Sequence, residues 1–145
     1  MIMSVVDGNG TPLNVEVENA STYEGHVAEK AVYGIKKKKH DKRRRKPTRL
    51  IPVRVITDKG YDDDGLRKKF ATKGIELIAP YRDNRVNRPY EDGRKLRRYR
   101  RRWKVERTNS WFKNFRRVAV RWDRSLTVYK GFVHIACICM TLMKF

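Results

Sequence analysis

The chain has 145 residues, 39% of them apolar, and its 36 Lys and Arg against 16 Asp and Glu give a formal charge of +20. That length suffices for one domain with a hydrophobic core, so residues 1–145 are predicted to form a single domain with solvated basic segments. So much positive charge favours binding to a polyphosphate backbone, so nucleic acid is the expected partner. No stretch reaches about 18 uncharged apolar residues, so no membrane span is predicted.

The first predicted element is a β-hairpin. The stretches "MIMSVV" and "TPLNVEVEN" are joined by "DGNG", which puts Asp7 in the turn. In the second strand Leu13, Val15 and Val17 alternate with polar residues, so one face of this strand is expected to be buried and the other solvated.

A short helix and a basic segment follow the hairpin. The stretch "STYEGHVAEKAV" predicts a helix that Ser21 or Thr22 caps. Its apolar residues stand at helical spacing: Val27, Ala28, Ala31 and Val32. The next segment, residues 36–49, is rich in bases and is predicted to be a basic loop, either a solvated connection or a phosphate-binding arm.

A strand-helix-strand unit comes next, formed by "LIPVRVIT", "DDDGLRKKFATKG" and "IELIA". Such a unit is normally a parallel crossover. Asp58 falls at the carboxyl end of its first strand, where open α/β sheets meet their ligands, although an acid in that place is often only a turn residue. The acids at 62–64 stand at a helix start, where they satisfy free amides and the helix dipole without any chemistry.

The stretch "YRRRWKVERTNSWFK", residues 99–113, surrounds one acid with bases and aromatic residues. As one continuous helix at about 100° per residue, it places Arg102, Glu106 and Lys113 within roughly 60° of Tyr99, and the tryptophans and phenylalanine elsewhere. Glu106 then faces a basic stripe. The simpler interpretation is an i,i+4 ion pair between Arg102 and Glu106, which helical spacing alone does not exclude.

The apolar tail "GFVHIACICMTLM" has a length that favours a buried helix. It contains the only two cysteines, Cys137 and Cys139. A Cys-x-Cys pair could be half of a metal site, but because no second Cys or His pair accompanies it, small buried hydrophobic residues are the favoured interpretation. With no basic region before an apolar run at the amino end, we expect a reduced, cytoplasmic protein.

The spacing Tyr99-x2-Arg102-x3-Glu106-x6-Lys113 resembles, at every position and gap, the Tyr-Arg-Glu-Lys signature around the catalytic glutamate of DDE transposases of bacterial insertion sequences. Further blocks follow in the family's order: "VVDGNGTPL" resembles the family's hairpin, and "ITDKGYDDDGLR" resembles the block of its second catalytic aspartate. "NFRRVAVRWDR" and the apolar tail are similar to the closing segments. The resemblance covers nearly the whole chain.

This resemblance implies an α/β, ribonuclease H-like fold, a mixed sheet flanked by helices, with Asp58 on the fourth strand and Glu106 on a late helix. It implies that Asp58 and Glu106 are catalytic and hold two Mg²⁺ or Mn²⁺ ions in the complete site. Tyr99, Arg102 and Lys113 are implied to bind the phosphates of the transposon end. Double-stranded DNA, as transposon ends and target, is the implied partner, in the nucleoid.

The chain departs from the family in one respect. The family's first catalytic aspartate lies on a first strand upstream of the hairpin, and no block here resembles that strand. Asp7 is the one candidate substitute for that ligand, but it is the less favoured interpretation, because its segment resembles the hairpin turn. We therefore expect this chain to be the carboxyl part of a catalytic domain and to be inactive alone. Its expected protein partner is either a second copy of the chain, in a homodimer, or the product of an upstream reading frame. The alternative is a basic nucleic-acid-binding or regulatory module without catalysis.

Overall fold

A computed structural model describes residues 1–35, 54–86, 89, 90 and 93–143. The predicted basic loop at 36–49 lies outside these residues. The chain divides into two compact units, one of Met1–Ala31 with Trp103–Phe145 and one of Val32–Arg102, and each is described by itself.

The described elements include strands, α-helices and two short 3-10 turns, which confirms the predicted mixed α/β class. In chain order they are β1 (Ile2–Val6), β2 (Pro12–Val17), α1 (Glu24–Tyr33), β3 (Arg54–Ile56), a 3-10 turn (Lys59–Tyr61), α2 (Asp64–Thr72), β4 (Glu76–Ile78), α3 (Gly93–Tyr99), a 3-10 turn (Arg100–Arg102), α4 (Trp103–Phe112), α5 (Arg116–Ala119) and α6 (Leu126–Leu142). Within the described residues the strands form two separate two-stranded sheets. The ribonuclease H-like arrangement stays a prediction.

The hairpin is confirmed, with β1 and β2 antiparallel. Val15 and Val17 are buried as predicted, but Leu13 is 49% exposed, so the predicted buried face is wrong at this position. The reason is a shift in the register: Val5 pairs with Asn14 and Val6 with Pro12. Leu13 is therefore the extra residue of a β-bulge, which turns its side chain away from the alternating pattern.

Helix α1 buries the four apolar residues that its periodicity predicts. It begins at Glu24, directly after Tyr23, so neither Ser21 nor Thr22 immediately precedes it and the predicted cap is wrong. The amide of Thr22 instead donates to the carbonyl of Asn19, because the chain turns once more between β2 and the helix.

The core of the first unit lies between β2 and the carboxyl-terminal helices. Its buried cluster comprises Val15, Val17, Phe112, Val118, Tyr129, Val133, Ala136 and Met140. The hydroxyl of Tyr129 donates to the carbonyl of Val118 at 2.8 Å, which ties α6 to α5. Burial raises the pKa of the Cys137 thiol to about 11, so the thiol is protonated at neutral pH, consistent with its packing against this cluster.

The predicted buried helix in the tail is confirmed for one face only. Tyr129, Val133 and Met140 are buried, whereas Ile135 and Ile138 are 55% and 58% exposed. Helix α6 has 17 residues, and no helix in the described part of the chain is long and apolar enough to cross a bilayer.

In the second unit, β3 and β4 are parallel, as the strand-helix-strand pattern predicts. Helix α2 connects them and buries Leu66 and Phe70. It is followed by Gly74 at φ +70°, a conformation that a glycine adopts at little cost after a helix, as predicted. The ring of Tyr33, at the end of α1, meets Phe70 edge-on at 5.7 Å.

Candidate active site

Asp58 stands in the turn that follows β3, two residues beyond Ile56, so its predicted place at the carboxyl end of this strand is confirmed. Its exposed carboxylate caps the 3-10 turn: Oδ1 accepts a hydrogen bond from the amide of Gly60 at 2.8 Å. A Cβ at position 60 would lie 2.9 Å from this oxygen, so a larger residue there would displace the Asp58 carboxylate from its hydrogen bond. The strand end thus fixes the backbone around Asp58 and presents the carboxylate to solvent.

The acids after this turn have different roles. Asp63 caps α2, with Oδ1 accepting from the amides of Gly65 at 2.7 Å and Leu66 at 3.3 Å, and Asp64 lies in the first helical turn. These two confirm the prediction of a structural role at the helix start.

Asp62 differs from that prediction. Its side chain is only 2% exposed and forms ion pairs with Arg67 at 3.0 Å and Arg85 at 2.8 Å, and its Oδ2 accepts from the amide of Arg82 at 2.9 Å. Burial by itself would raise the pKa of Asp62, but the amide and the two guanidinium groups outweigh it, so the pKa lies below the ordinary carboxyl value. Asp62 is the centre of a buried charge network.

Residues 81–85, which the sequence presents only as a polar connection, enclose the Asp58 turn. The guanidinium groups of Arg67 and Arg85 lie 4.9 Å and 4.8 Å from the centre of the Tyr81 ring. Arg82 donates to the carbonyls of Lys59 at 3.1 Å and Gly60 at 2.5 Å. The sequence signal for these contacts is the pair of arginines that follows Tyr81 in "YRDNR", although spacing alone does not reveal their partners.

Glu106 lies on α4 and its side chain is exposed, while Thr108, two residues later, is fully buried. Phe112, at the end of the same helix, is buried, and Trp103 is 51% exposed. Helix α4 therefore packs through one face and directs Glu106 away from the core, as the sequence predicts.

The stretch 99–113 is not one continuous α-helix, so the 100° steps counted from Tyr99 to Lys113 do not apply. Tyr99 ends α3, Arg102 ends the following 3-10 turn, and Lys113 lies just past the end of α4. Like charges three and four residues apart destabilise a regular α-helix, and seven of the ten residues from 93 to 102 are basic.

The structure brings Tyr99 and Arg102 together, with the Arg102 guanidinium 5.4 Å from the centre of the Tyr99 ring. Both belong to the same unit as Asp58, whereas Glu106 and Lys113 belong to the other unit. Lys113 lines a shallow depression of about 300 Å³ together with Ile2, Asn109, Phe112, Val118 and Ala119. The approach of Asp58 to Glu106 stays a prediction.

The segment just before α4, formed by α3 and its 3-10 turn, carries a group of exposed arginines. The side chains of Arg97, Arg98, Arg100 and Arg101 on α3 and its 3-10 turn are exposed. Lys95 is engaged with Glu76 at 2.9 Å. We call Arg97, Arg98, Arg100 and Arg101 the arginine surface.

Carboxylates such as those of Asp58 and Glu106 are the hard oxygen ligands that Mg²⁺ and Mn²⁺ prefer, and both are exposed. Among the residues that the structure describes, no group of three or more His, Cys, Asp or Glu side chains forms a metal-binding cluster. The donor chemistry of the two carboxylates fits a divalent ion.

Comparison with known families defines the class of protein: the model of the family described as "Transposase DDE domain" matches residues 1–142, so the chain belongs to this family. The chain is 33% identical over 95 residues to the putative transposase for insertion sequence element IS402 of Burkholderia cepacia, covering 64% of this chain and 41% of that protein. It is 30% identical over 136 residues to the putative transposase for insertion sequence element IS6501 of Brucella ovis, covering 92% of this chain and 91% of that protein. No solved structure shows significant similarity.

Proposed function

We propose that this chain acts in DNA transposition, as part of the ribonuclease H-like catalytic domain of a DDE transposase of the Tyr-Arg-Glu-Lys signature group. Its reaction is strand cleavage and transfer at the ends of an insertion sequence. The family match over residues 1–142 carries the proposal, and the signature spacing of Tyr99, Arg102, Glu106 and Lys113 supports it.

Asp58 and Glu106 are the metal-binding carboxylates in this proposal. When bound, two divalent ions stabilise the attacking and leaving oxygens of an in-line displacement at a phosphodiester. The side chains of Asp58 and Glu106 are exposed, so they can bind ions without a change in the core. A two-ion site of this class needs a third carboxylate, which the product of an upstream reading frame would supply. A homodimer partner, as a second copy of the same chain, would not add that residue.

Tyr99, Arg102 and Lys113 bind the terminal phosphates. Arg102 presents a planar fork of donors and Lys113 a point charge. The Tyr99 ring against the Arg102 guanidinium, 5.4 Å from ring centre to Cζ, limits the rotation of this fork and prepares it for a phosphate.

The arginine surface binds the duplex backbone of transposon ends and target DNA. Its four side chains are exposed on a short helical stretch, so successive guanidinium groups can follow successive phosphates. The basic segment 36–49 offers further positive charge for DNA phosphates. In this proposal, residues 1–145 belong to one catalytic domain that works with DNA in the cytoplasm, at the nucleoid.

The decisive experiment measures both DNA binding and nicking on DNA that carries the element's ends, with Mg²⁺ or Mn²⁺. We expect the purified chain to bind without nicking, because two carboxylates do not complete a two-ion site. Expression together with the DNA upstream of its first codon is expected to give metal-dependent nicking that Asp58→Ala and Glu106→Ala each abolish.

Two outcomes contradict the proposal. Nicking that persists in both alanine variants would show that neither carboxylate is catalytic. Binding without nicking in every combination, including one with an upstream frame that encodes an aspartate-bearing strand, would favour a basic binding module. Nicking by the purified chain alone would instead show that its own residues complete the site.

A further inference from the structure

The turn of the β1–β2 hairpin docks on α4 through its backbone. Three consecutive carbonyls of the turn each accept a hydrogen bond from a side chain of this helix. The donors and acceptors are Lys104 Nζ with Gly8, Arg107 Nη2 with Asn9 at 2.9 Å, and Thr108 Oγ1 with Gly10 at 2.7 Å. A fourth contact, from the Ser4 hydroxyl to Asn109 Oδ1 at 2.7 Å, joins β1 to the same helix.

The turn is shaped for this contact. Gly10 has φ +80°, and a Cβ there would lie 3.0 Å from Arg107 Nη2 and 3.4 Å from Thr108 Oγ1. Asp7 holds the conformation, because its Oδ1 accepts hydrogen bonds from the amides of Asn9 and Thr11, both at 2.8 Å. The Asp7 carboxylate thus fixes the carbonyls that α4 recognises.

The docked face of α4 is opposite to Glu106. On an α-helix, Glu106 lies about 200° from Lys104, whereas Arg107 and Thr108 lie within about 60° of Lys104. The burial agrees, since Thr108 is 0% exposed while the side chain of Glu106 is exposed. Any rotation of α4 about its axis would break the contacts to the turn and redirect Glu106 by the same angle.

The guanidinium of Arg107 also contacts two indole rings. It lies 4.9 Å from the ring of Trp103 and 5.1 Å from that of Trp111, one helical turn before and after it. These two cation–π contacts favour the position of the Arg107 guanidinium in which it donates to the carbonyl of Asn9.

We propose that Asp7 and Thr108 are positioning residues that set the direction of Glu106 through the docked turn, and that Asp7 is not itself a metal ligand. The inference deepens the proposed function and rests on it only in taking Glu106 as the metal-binding carboxylate. It assigns a purpose to the acid that would otherwise be the first candidate for a third ligand.

The test uses the full chain with Cys137→Ser and Cys139→Ser and nitroxide labels on Glu106→Cys and Ile135→Cys. Ile135 lies on the exposed face of α6, within the same unit. Pulsed electron paramagnetic resonance then measures the distance between the labels. We expect one narrow peak in the parent, a shifted or broadened distribution in Asp7→Ala, and recovery of the parent peak in Asp7→Asn, because the Asn side-chain oxygen can still accept from both amides.

A distribution in Asp7→Ala equal to that of the parent would overturn the proposal, and so would failure of Asp7→Asn to restore the peak. If Asp7→Ala does not fold, Thr108→Val and Thr108→Ser give the same comparison on the helix side, since only Ser keeps the hydroxyl donor. The valine variant is expected to lose the narrow peak and the serine variant to keep it.

Mn²⁺ titration of label-free chains separates this inference from the proposed function. We expect Glu106→Gln to weaken Mn²⁺ binding and Asp7→Asn to leave it unchanged. An equal loss in Asp7→Asn would identify Asp7 as a ligand and overturn the inference. Binding that does not depend on Glu106 would count against the proposed function, while the label distances would still decide whether the turn positions α4.

Discussion

Asp58, Asp62 and Asp63 show how one residue type takes three roles within a short stretch of chain. Asp63 caps a helix, Asp62 is buried between Arg67 and Arg85, and Asp58 keeps an exposed carboxylate beside a fixed turn. Only the capping role of Asp63 can be predicted from the local sequence, because an acid before a helical pattern predicts a cap. The burial of Asp62 depends on arginines contributed from 5 and 23 positions away in the chain.

Replacement of Asp62 by alanine is expected to destabilise the chain by about 3 kcal/mol, because the partly buried guanidinium of Arg67 loses its counter-charge and that of Arg85 loses one of its ion-pair partners, while its pair with the exposed Asp64 stays. Asp83→Ala is the matched control in the same unit. Asp83 pairs with Lys59 at 2.9 Å, but its side chain is 79% exposed, so its loss is expected to cost less than about 1 kcal/mol. Urea unfolding followed by circular dichroism gives both values, and equal costs would contradict a special role for Asp62.

The same carboxylate predicts a pH dependence of stability. Burial acts to raise the pKa of Asp62, but the Arg82 amide and the arginines outweigh it, so the pKa in the folded chain is below its ordinary value. The contribution of Asp62 is therefore fully present above the ordinary carboxyl pKa of about 3.9 and is lost as the pH falls through the folded pKa. We expect the difference in unfolding free energy between parent and Asp62→Ala to shrink below about pH 4. A difference that grew on acidification would contradict this sign.

At the scale of elements, the sequence predicts what periodicity and local turn chemistry determine. The hairpin, the buried face of α1, the parallel β3–α2–β4 unit and the termination of α2 just before Gly74 follow from such patterns. The bulge at Leu13 and the 3-10 turn before α4 do not follow from such patterns. The bulge depends on the strand register and the 3-10 turn on the run of charges, and neither depends on apolar periodicity. The docking of the turn on α4 joins residues 96 to 98 positions apart, beyond the reach of local patterns.

The docked turn makes a prediction that concerns two glycines two residues apart. Gly10→Ala is expected to cost about 2 kcal/mol, since alanine at φ +80° is strained and its Cβ would meet Arg107 at 3.0 Å. Gly8→Ala is the control: a Cβ there meets nothing within 4 Å, and the expected change is within about 0.5 kcal/mol. Thermal or urea unfolding measures both, and a Gly10→Ala chain as stable as Gly8→Ala would show that the turn is not held against α4.

At the scale of the molecule, the candidate site residues can be identified from the sequence because the signature is local, lying within residues 99–113. The sequence does not predict that Tyr99, Arg102 and Glu106 lie on three different helical segments, since this division arises where a run of bases interrupts the helix. The contacts that support the Asp58 turn are also not predictable from the sequence. They come from the side chain of Arg82, which donates to the carbonyls of residues 23 and 22 positions earlier in the chain.

The charge of the whole chain predicts how its affinity for DNA depends on salt. With a formal charge of +20, binding to duplex DNA is expected to be strong at low salt and largely independent of sequence, because each neutralised phosphate releases a counterion. Titration of a labelled duplex at low and at physiological salt measures this dependence. An affinity that hardly changed between the two conditions would contradict an interface dominated by phosphates.

The arginine surface is expected to account for a defined share of that dependence. Each phosphate contact contributes about 0.9 to the slope of log affinity against log salt, so Arg97→Ala with Arg98→Ala should lower the slope by nearly 2. The control, Lys68→Ala with Lys73→Ala, removes the same charge from exposed positions on and just after α2, outside this surface. Titrations of labelled duplex at several salt concentrations measure both slopes. Equal slopes in the two double variants would mean that the affinity depends only on the net charge of the chain. That result would contradict the proposal that the DNA backbone binds at the arginine surface.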